Sequence, residues 1–255
     1  MSNSTKAGHT FLASLGKTRL RPGGIEATEW LISQAQLNSN SKVLEVACNI
    51  GTTAIELTSR FGCDIYAIDM DQRALRIAQQ RVESAGLNHK VHLIKANATR
   101  LPFADACFDI VINEAMLTMY ADKAKHNLVH EYCRVLKPGG CLLTHDIMLT
   151  GEKLGEIATE QLQQVVKSHV SPMSQQGWVS LLLEEGFSEV QTHHGVMSLM
   201  SPLGLIKDEG LFRALKIAFN GLKNHENRLR FFGMFHYFRA QRHRLNFIAC
   251  CAKKK

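Results

Sequence analysis

Several features that would assign a chain to a specialised class are missing from these 255 residues. No apolar run approaches the ~20 residues that a membrane-spanning helix requires, and the N-terminal stretch MSNSTKAGHTFLASLGKTRLRPGG has no apolar core of signal-peptide type. The 7 cysteines form no CxxC pair and no metal-like spacing, which predicts reduced thiols and no metal site. We therefore expect a cytoplasmic protein with no membrane partner.

Two nucleotide-binding signatures are missing as well. The sequence contains no GxGxxG, and no Lys-Ser/Thr pair ends the first loop as it would in a P-loop. These absences weigh against ATP and against a dinucleotide. The segment VLEVACNIGTTAIEL (43–57) still has the pattern of a strand, a tight loop and the start of a helix, with Gly51 where nucleotide-type loops carry two or three glycines.

Basic charge is concentrated in the C-terminal quarter. The formal net charge is +7, yet residues 1–206 carry 18 Lys and Arg against 20 Asp and Glu. Residues 207–244 carry nine basic and three acidic side chains, interspersed with aromatic residues. Such a segment could bind RNA or another acidic partner. We favour an amphipathic helical insertion whose phenylalanines pack inward and whose Lys and Arg are solvated, and nucleic acid is the less favoured partner.

Strand-like apolar runs alternate with helix-length amphipathic segments along most of the chain. This alternation predicts an α/β fold with a parallel sheet and crossover helices. The predicted strands are 42–48, 63–69, 91–97, 108–116, 140–149, 188–200 and 245–252, and the predicted helices are 25–37, 52–61, 72–86, 122–136, 153–169, 174–185 and a broken stretch over 206–243.

Polar residues follow each of the first five predicted strands. In an open parallel sheet, ligands bind beyond the carboxyl ends of the strands, where the strand order reverses. Asp69 can accept hydrogen bonds from ribose hydroxyls, and Met70 offers a polarizable surface to an adenine ring. Asn97 can form hydrogen bonds with the adenine edge. The five clusters are Glu45 with loop 47–51, Asp69 with Met70 and Asp71, Asn97 with Ala98, Asn113 with Glu114, and His145 with Asp146.

Four segments, in order, resemble the motifs of class I S-adenosylmethionine-dependent methyltransferases. LEVACNIG is similar to their first motif, an acidic residue followed by xGxGxG, and AIDMD resembles their second-strand motif with its ribose-binding acid. ANATRLPFADACFDIVINEAM resembles the GDAxxLPFxDxxFDxV segment of small-molecule members, and RVLKPGGCLL resembles the segment entering the fifth strand. The resemblance covers roughly residues 20–200, extends toward 252, and includes the sarcosine/dimethylglycine and quinone-biosynthesis types.

The resemblance implies a Rossmann-like, doubly wound seven-stranded sheet, mostly parallel with an antiparallel last strand, plus helical insertions. It also implies S-adenosyl-L-methionine as cofactor. By the same resemblance, Asp69 holds the ribose, the Asn113 backbone meets the amino acid moiety, and Arg21 belongs to a segment that covers the cofactor. The methionine end is expected at Glu45, Ala47, Cys48, Asn49 and Gly51, and the adenine is expected at Met70, Asn97 and Ala98.

Three residues depart from the family pattern. Ala47 adds a methyl group where the backbone approaches the ligand, and Asn97 replaces the usual aspartate. Asn49 is the mildest change, because asparagine tolerates positive φ better than other non-glycine residues. We expect cofactor binding to survive these changes.

Methyl transfer from a sulfonium is an in-line displacement on an activated carbon, so alignment and desolvation matter most. A base is needed only if the nucleophile must lose a proton. Glu114 is the first candidate for substrate orientation or proton removal, followed by His145 and Tyr120. The alternative for Glu114 is a structural role, capping a helix or pairing with Arg21.

The expected organisation is an N-terminal lid and helix (1–41), a methyltransferase core (42–205) with a helical insertion near 150–175, a basic helical insertion (206–244), and the last strand with a basic tail (245–255). The function that we favour is methylation of an O or N nucleophile on a small molecule. Methylation of RNA or protein is the second interpretation, since the C-terminal region is basic. The altered glycine loop also leaves open a non-catalytic cofactor-binding regulator or scaffold.

Overall fold

The computed structural model describes residues 6–151 and 155–255. The first five residues of the expected lid, and residues 152–154 of the expected insertion near 150–175, lie outside these ranges. Within them, no helix is long and apolar enough to cross a bilayer.

A single mixed sheet forms the centre of the molecule. Its order is β3-β2-β1-β4-β5-β8-β7, and the two-residue β6 pairs with β5 beside this path. All pairings are parallel except those of β8, which runs antiparallel to β5 and β7. The expected fold class is therefore confirmed. The strands are β1 (Lys42–Val46), β2 (Asp64–Asp69), β3 (Val91–Lys95), β4 (Phe108–Glu114), β5 (Leu136–Leu149), β6 (Met173–Ser174), β7 (Phe187–Val196) and β8 (Leu245–Lys254).

Side-chain caps define the starts of several helices. Asp71 accepts a hydrogen bond from the Arg73 amide, and Ser201 accepts one from the Gly204 amide. The helices are α1 (Gly8–Leu15), α2 (Gly24–Gln34), α3 (Thr52–Phe61), α4 (Gln72–Ser84), α5 (Asp122–Val135), α6 (Gly155–Val166), α7 (Gln175–Glu184), α8 (Pro202–Glu209), α9 (Leu211–Leu222) and α10 (His225–Ala240), with a 3-10 turn at Leu117–Met119.

Both faces of the sheet are covered, so successive strand residues enter different cores. Leu44 and Val111 belong to the cluster that includes Trp178 of α7, whereas their neighbours Val43 and Ile110 belong to the cluster on the opposite face, with α2, α3 and α4. Continuous apolar strands such as KVLEV are typical of a sheet buried on both sides. This arrangement leaves the strand ends as the place where polar groups can converge.

A third apolar cluster joins α1 to the helices that precede β8. Phe11 of α1, Ile217 of α9 and Met234 of α10 are buried together. The expectation that the phenylalanines of this basic region pack inward is correct only in part. Phe212 and Phe219 point to solvent with exposed fractions of 88% and 66%. The reason is that α9 carries apolar residues on two faces, and only one face contacts the protein.

Candidate active site

The strand order reverses between β1 and β4, and the carboxyl ends of these strands border a cavity of about 530 Å³. Strand register places Val46 beside Asn113, and Glu114 beside His145. Residues of α1, of the loop 18–22 and of α10 complete the walls. Both the position and the volume are typical of a small-molecule site.

The loop after β1 adopts the left-handed backbone conformation at every second residue. The angle φ is 58° at Ala47, 50° at Asn49 and 69° at Gly51. Asparagine tolerates this region, whereas the methyl group of alanine makes it cost roughly 1–2 kcal/mol. The Cys48 amide donates a 3.0 Å hydrogen bond to the Ile68 carbonyl and so joins the loop to β2. The loop therefore has the backbone shape of a loop with three alternating glycines, although it retains only one.

The carboxylate of Asp69, at the end of β2, connects two loops. Its Oδ2 accepts a 2.8 Å hydrogen bond from the Asn49 amide, and its Oδ1 accepts one of 2.8 Å from the Asp71 amide. Each carboxylate oxygen has a second lone pair, so the group can still accept hydrogen bonds from a ligand. Asp69 lines the cavity.

Glu114 is the centre of a buried polar network. Its Oε2 accepts a 2.7 Å hydrogen bond from Nη1 of Arg21, and its Oε1 accepts one of 2.5 Å from the Thr28 hydroxyl. Burial opposes ionisation, but the charge of Arg21 and a hydrogen bond from His145 hold the pKa of Glu114 well below its usual range. Glu114 is thus held as an anion at neutral pH and links β4 to the N-terminal segment.

Both ring nitrogens of the fully buried His145 have partners. Nδ1 lies 3.1 Å from Oε1 of Glu114, and Nε2 lies 2.8 Å from the Gly23 amide nitrogen. The Gly23 N–H can only donate, so a neutral ring with its proton on Nδ1 satisfies both contacts. His145 therefore connects β5 to the residue that precedes α2.

Within the part of the chain that the structure describes, three ionisable side chains that line the cavity have unpaired polar atoms, and one of these atoms is Nε of Arg19. Among the described residues, Nε and Nη2 of Arg21 are buried without a hydrogen-bond partner, and so is Oε2 of Glu45. Burial, reinforced by the charge of Glu114, raises the pKa of Glu45 to about 8. Buried polar atoms in native proteins are normally paired. A donor pair and an acceptor left unpaired in one cavity therefore indicate a polar ligand with both an anionic and a cationic group.

The last turn of α8 holds the segment 17–25 over the site. Nζ of Lys17 lies 2.9 Å from Oδ2 of Asp208, with both side chains buried, and the Ile25 amide donates a 2.8 Å hydrogen bond to Oδ1 of Asp208. Glu209 accepts hydrogen bonds from two further backbone amides of the segment. Our sequence reasoning missed these contacts, because 191 positions separate Lys17 from Asp208 and no local motif marks the pair.

Asp146 also belongs to the site. We did not select it as a site residue, although it follows His145 at a predicted strand end. It is buried and lines the cavity. Its carboxylate accepts hydrogen bonds from the Leu117 and Thr118 amides at 2.9 and 3.2 Å, and burial raises its pKa. Asp146 thus shapes the turn that leads to Tyr120.

The predicted site residues fall into two groups. Those on the cavity wall are Arg21, Glu45, Ala47, Cys48, Asn49, Asp69, Glu114 and Tyr120. Those outside the wall are Gly51, Met70, Asn97, Ala98, Asn113 and His145.

The second group has recognisable local roles. Asn97 is exposed, and its Oδ1 accepts a 3.0 Å hydrogen bond from the Thr99 amide. Met70 is 60% exposed beside the end of β2, where an adenine ring could still reach it. The Asn113 side chain is buried, with Nδ2 3.1 Å from the Met116 sulfur. Their contacts with a cofactor stay predictions.

Comparison with known proteins agrees with this geometry. Residues 43–140 match a family model described as a methyltransferase domain. An uncharacterized protein of Haemophilus influenzae is 51% identical over 249 residues, which are 98% of each chain. The ubiquinone/menaquinone biosynthesis C-methyltransferase UbiE of Blochmanniella floridana is 28% identical over 184 residues, covering 64% of this chain and 72% of that protein.

The fold is also found among solved structures. Phosphoethanolamine N-methyltransferase 2 of Haemonchus contortus, in complex with phosphomonomethylethanolamine and S-adenosylhomocysteine, superposes with a TM-score of 0.75 at 18% identity. The match covers 96% of this chain and 57% of that one. The sheet order, the left-handed loop after β1 and the carboxylate after β2 agree with the fold and the site that the four methyltransferase-like motifs predicted. The chain therefore contains a methyltransferase domain over residues 43–140, has the fold of S-adenosylmethionine-dependent methyltransferases, and is an enzyme that uses S-adenosyl-L-methionine.

Proposed function

We propose that the enzyme methylates an oxygen or nitrogen nucleophile on a small, partly apolar molecule. The observation that carries this proposal is the composition of the cavity. Its polar end holds the strand-end carboxylates, and much of the remaining lining is apolar. The apolar lining comes from Leu12 of α1, Val166 of α6, Val170, Leu199, and Met234 and Phe238 of α10.

The polar end of the cavity fits the methionine part of the cofactor. An amino acid zwitterion carries one carboxylate and one ammonium group, which match the unpaired guanidinium nitrogens of Arg21 and the unpaired oxygen of Glu45. Asp69 retains acceptor capacity for ribose hydroxyls. When bound, S-adenosyl-L-methionine supplies a methyl group already activated by its sulfonium. We therefore assign Arg21 and Glu45 to the amino acid group and Asp69 to the ribose.

The side chains around the acceptor act by alignment and by exclusion of water. Helices α1 and α10 cover the strand ends, and their apolar residues remove solvent from the nucleophile. A dry site strengthens electrostatic interactions and limits hydrolysis. The acceptor that fits such walls has an apolar body and one polar group directed at the strand ends.

The contacts of the three catalytic candidates, Glu114, His145 and Tyr120, support a different role for Tyr120 than for the other two. Glu114 is held as an anion by Arg21 and Thr28, and both nitrogens of His145 are occupied, so we assign these two residues to positioning the N-terminal segment. Tyr120 lines the cavity, and within the described part of the chain its hydroxyl makes no hydrogen bond. We therefore propose Tyr120 as the side chain that contacts the acceptor nucleophile.

The relatives support a low-molecular-weight acceptor. Their names include a quinone-biosynthesis C-methyltransferase and a phosphoethanolamine N-methyltransferase, and the second of these matches the proposed N nucleophile. RNA or protein methylation would need a polymer segment to reach the strand ends beneath α1 and α10. The cavity geometry therefore favours the small-molecule interpretation over the polymer one.

Methyl-labelled S-adenosyl-L-methionine tests the proposal directly. The purified enzyme is incubated separately with a low-molecular-weight filtrate, total RNA and total protein from cells that contain it. We expect label to enter the filtrate, with release of S-adenosylhomocysteine. Label found only in RNA or protein contradicts the small-molecule acceptor, and cofactor binding without any turnover supports the regulator interpretation.

Two aspartate variants control this experiment. Asp69→Asn removes the carboxylate at the cavity and should strongly reduce labelling when the cofactor is not saturating. Asp64→Asn, at the start of the same strand, changes only an exposed pair with Lys90, whose Nζ lies 3.4 Å from Asp64 Oδ1. Equal labelling by the two variants would mean that the transfer does not depend on this cavity.

A further inference from the structure

Helix α9 has two apolar faces. Ala214, Ile217 and Gly221 form the buried face. At about 100° per residue, the remaining large apolar side chains occupy an arc of about 100°, centred about 140° from the buried face. This outer face consists of Leu211, Phe212, Leu215, Phe219 and Leu222, with exposed fractions of 54%, 88%, 60%, 66% and 47%.

The charged side chains between residues 211 and 223 are all basic. Lys216 and Lys223 are exposed and follow the apolar arc on the helix surface. Asp208 and Glu209, the two acids just before the helix, are buried side chains that bind the N-terminal segment. Glu226, in the first turn of α10, lies close enough to Arg230 to interact with its charge. The carboxylates that precede α9 are thus turned inward, while Lys216 and Lys223 remain in solvent.

The exposed apolar residues are concentrated rather than scattered. In the described part of the chain, nine of the thirteen large apolar side chains exposed to solvent lie between residues 203 and 232. Isolated exposed apolar residues are normal, but a contiguous set marks an interaction surface. The outer face of α9 is the densest part of this set.

We infer that the outer face of α9 docks on an anionic lipid bilayer surface. Phe and Leu on one face, with Lys along its edge, are the residues of a helix that lies in the membrane interface, with its apolar side at the level of the acyl chains. Lys216 and Lys223 then meet anionic headgroups. A membrane-docking face differs from our expectation of no membrane partner, and it does not depend on the identity of the methyl acceptor.

Charge and composition favour a bilayer over other occupants. A second copy of the chain would bring Lys216 and Lys223 against an equally basic surface. RNA would satisfy the lysines but would leave the aliphatic side chains Leu211, Leu215 and Leu222 without an apolar environment. An anionic bilayer satisfies both the apolar arc and the basic edge.

Vesicle flotation with the full chain tests the inference. Vesicles of phosphatidylcholine alone are compared with vesicles of equal parts phosphatidylcholine and phosphatidylglycerol. We expect binding to the anionic vesicles only. Phe212→Ser combined with Phe219→Ser, and separately Lys216→Glu combined with Lys223→Glu, should each weaken that binding by at least about tenfold.

A matched control removes apolar residues elsewhere. Ile77 of α4 and Leu183 of α7 are each 47% exposed, so Ile77→Ser combined with Leu183→Ser should leave vesicle binding unchanged. Size-exclusion chromatography tests whether the outer face of α9 binds a second copy of the chain, and a tRNA-binding assay tests whether it binds RNA. The inference is overturned if the wild-type protein does not bind anionic vesicles at low salt. It is also overturned if the phenylalanine variant alters only self-association or tRNA binding. Cofactor binding by all variants, measured in parallel, separates this outcome from failure of the proposed enzyme function.

Discussion

Nη1 of Arg21 lies 2.7 Å from Oε2 of Glu114, and both side chains are almost fully buried. This ion pair joins the N-terminal segment to the carboxyl end of β4. Arg21 keeps two guanidinium nitrogens unpaired at the cavity, so Glu114 orients the group that we assign to the cofactor. We therefore assign Glu114, our first candidate base from the sequence, to positioning Arg21.

Glu114→Gln should destabilise the protein by about 3–5 kcal/mol at neutral pH, since it leaves the Arg21 charge buried without its partner. The lowered pKa of Glu114 contributes stability that is fully present above the ordinary glutamate pKa and is lost as the pH falls below it. The difference between wild type and variant, measured by urea unfolding, should therefore shrink below about pH 4.5. A difference that stays constant from pH 7 to pH 3 would contradict this account.

Lys17→Met should cost about 3–5 kcal/mol of unfolding free energy, because Asp208 stays buried without its cation. The matched control is Lys90→Met, whose partner Asp64 is exposed and whose loss should cost less than about 1 kcal/mol. Hydrogen exchange should accelerate in residues 8–25 only in the Lys17 variant. Equal exchange in both variants would show that Asp208 does not hold this segment.

Ala47→Gly should stabilise the protein by roughly 0.5–1 kcal/mol, since glycine removes the cost of a left-handed alanine but adds entropy to the unfolded chain. Ala106→Gly is the control, because Ala106 has a φ of 53° in an exposed loop away from the cavity. Calorimetric titration should show cofactor affinity within about fivefold of wild type for both. A gain above tenfold for Ala47→Gly alone would mean that its methyl group obstructs the cofactor.

Asp69→Asn should weaken S-adenosyl-L-methionine binding by about 10–100-fold, since an amide replaces a charged acceptor and releases one of the two loop contacts. Calorimetric titration measures the dissociation constant, with Asp64→Asn expected to match wild type. Unchanged affinity in Asp69→Asn would remove Asp69 from the ribose site.

Glu45→Gln should stabilise the cofactor-free protein, and by an amount that increases with pH. Burial raises the pKa of Glu45 from 4.5 to about 8 in the folded chain. The contribution of Glu45 to stability is therefore most favourable below pH 4.5 and falls as the pH rises toward 8, on the order of 1 kcal/mol per pH unit at most, whereas glutamine has no such dependence. Thermal unfolding at pH 5 and pH 8.5 measures the trend, and cofactor affinity should fall in the same variant. If the stability difference between wild type and Glu45→Gln did not change with pH, the raised pKa of Glu45 would be contradicted.

The sheet could be predicted because its signals are local. Apolar runs separated by helical periods located β1, β2 and β4 to within a few residues, and they placed α4 at 72–86 against the observed Gln72–Ser84. The strand-end rule then selected Glu45, Asp69 and Glu114 without knowledge of any distance, because the carboxyl ends of parallel strands meet at one edge. The part of the site formed by the strand ends could therefore be predicted from the sequence.

Roles that depend on long-range pairs were decided only when the chain folded. The amino acid pattern marks Glu114 as a polar strand end, but its state as a bound anion requires Arg21, 93 positions away. Lys17 and Asp208 are ordinary surface residue types until burial makes them a pair. Helix α9 contains apolar residues over much of its circumference, and composition does not say which face packs. Packing selected Ile217 and left Phe212 outside, because a helix beside a single neighbouring layer can bury only one of its faces.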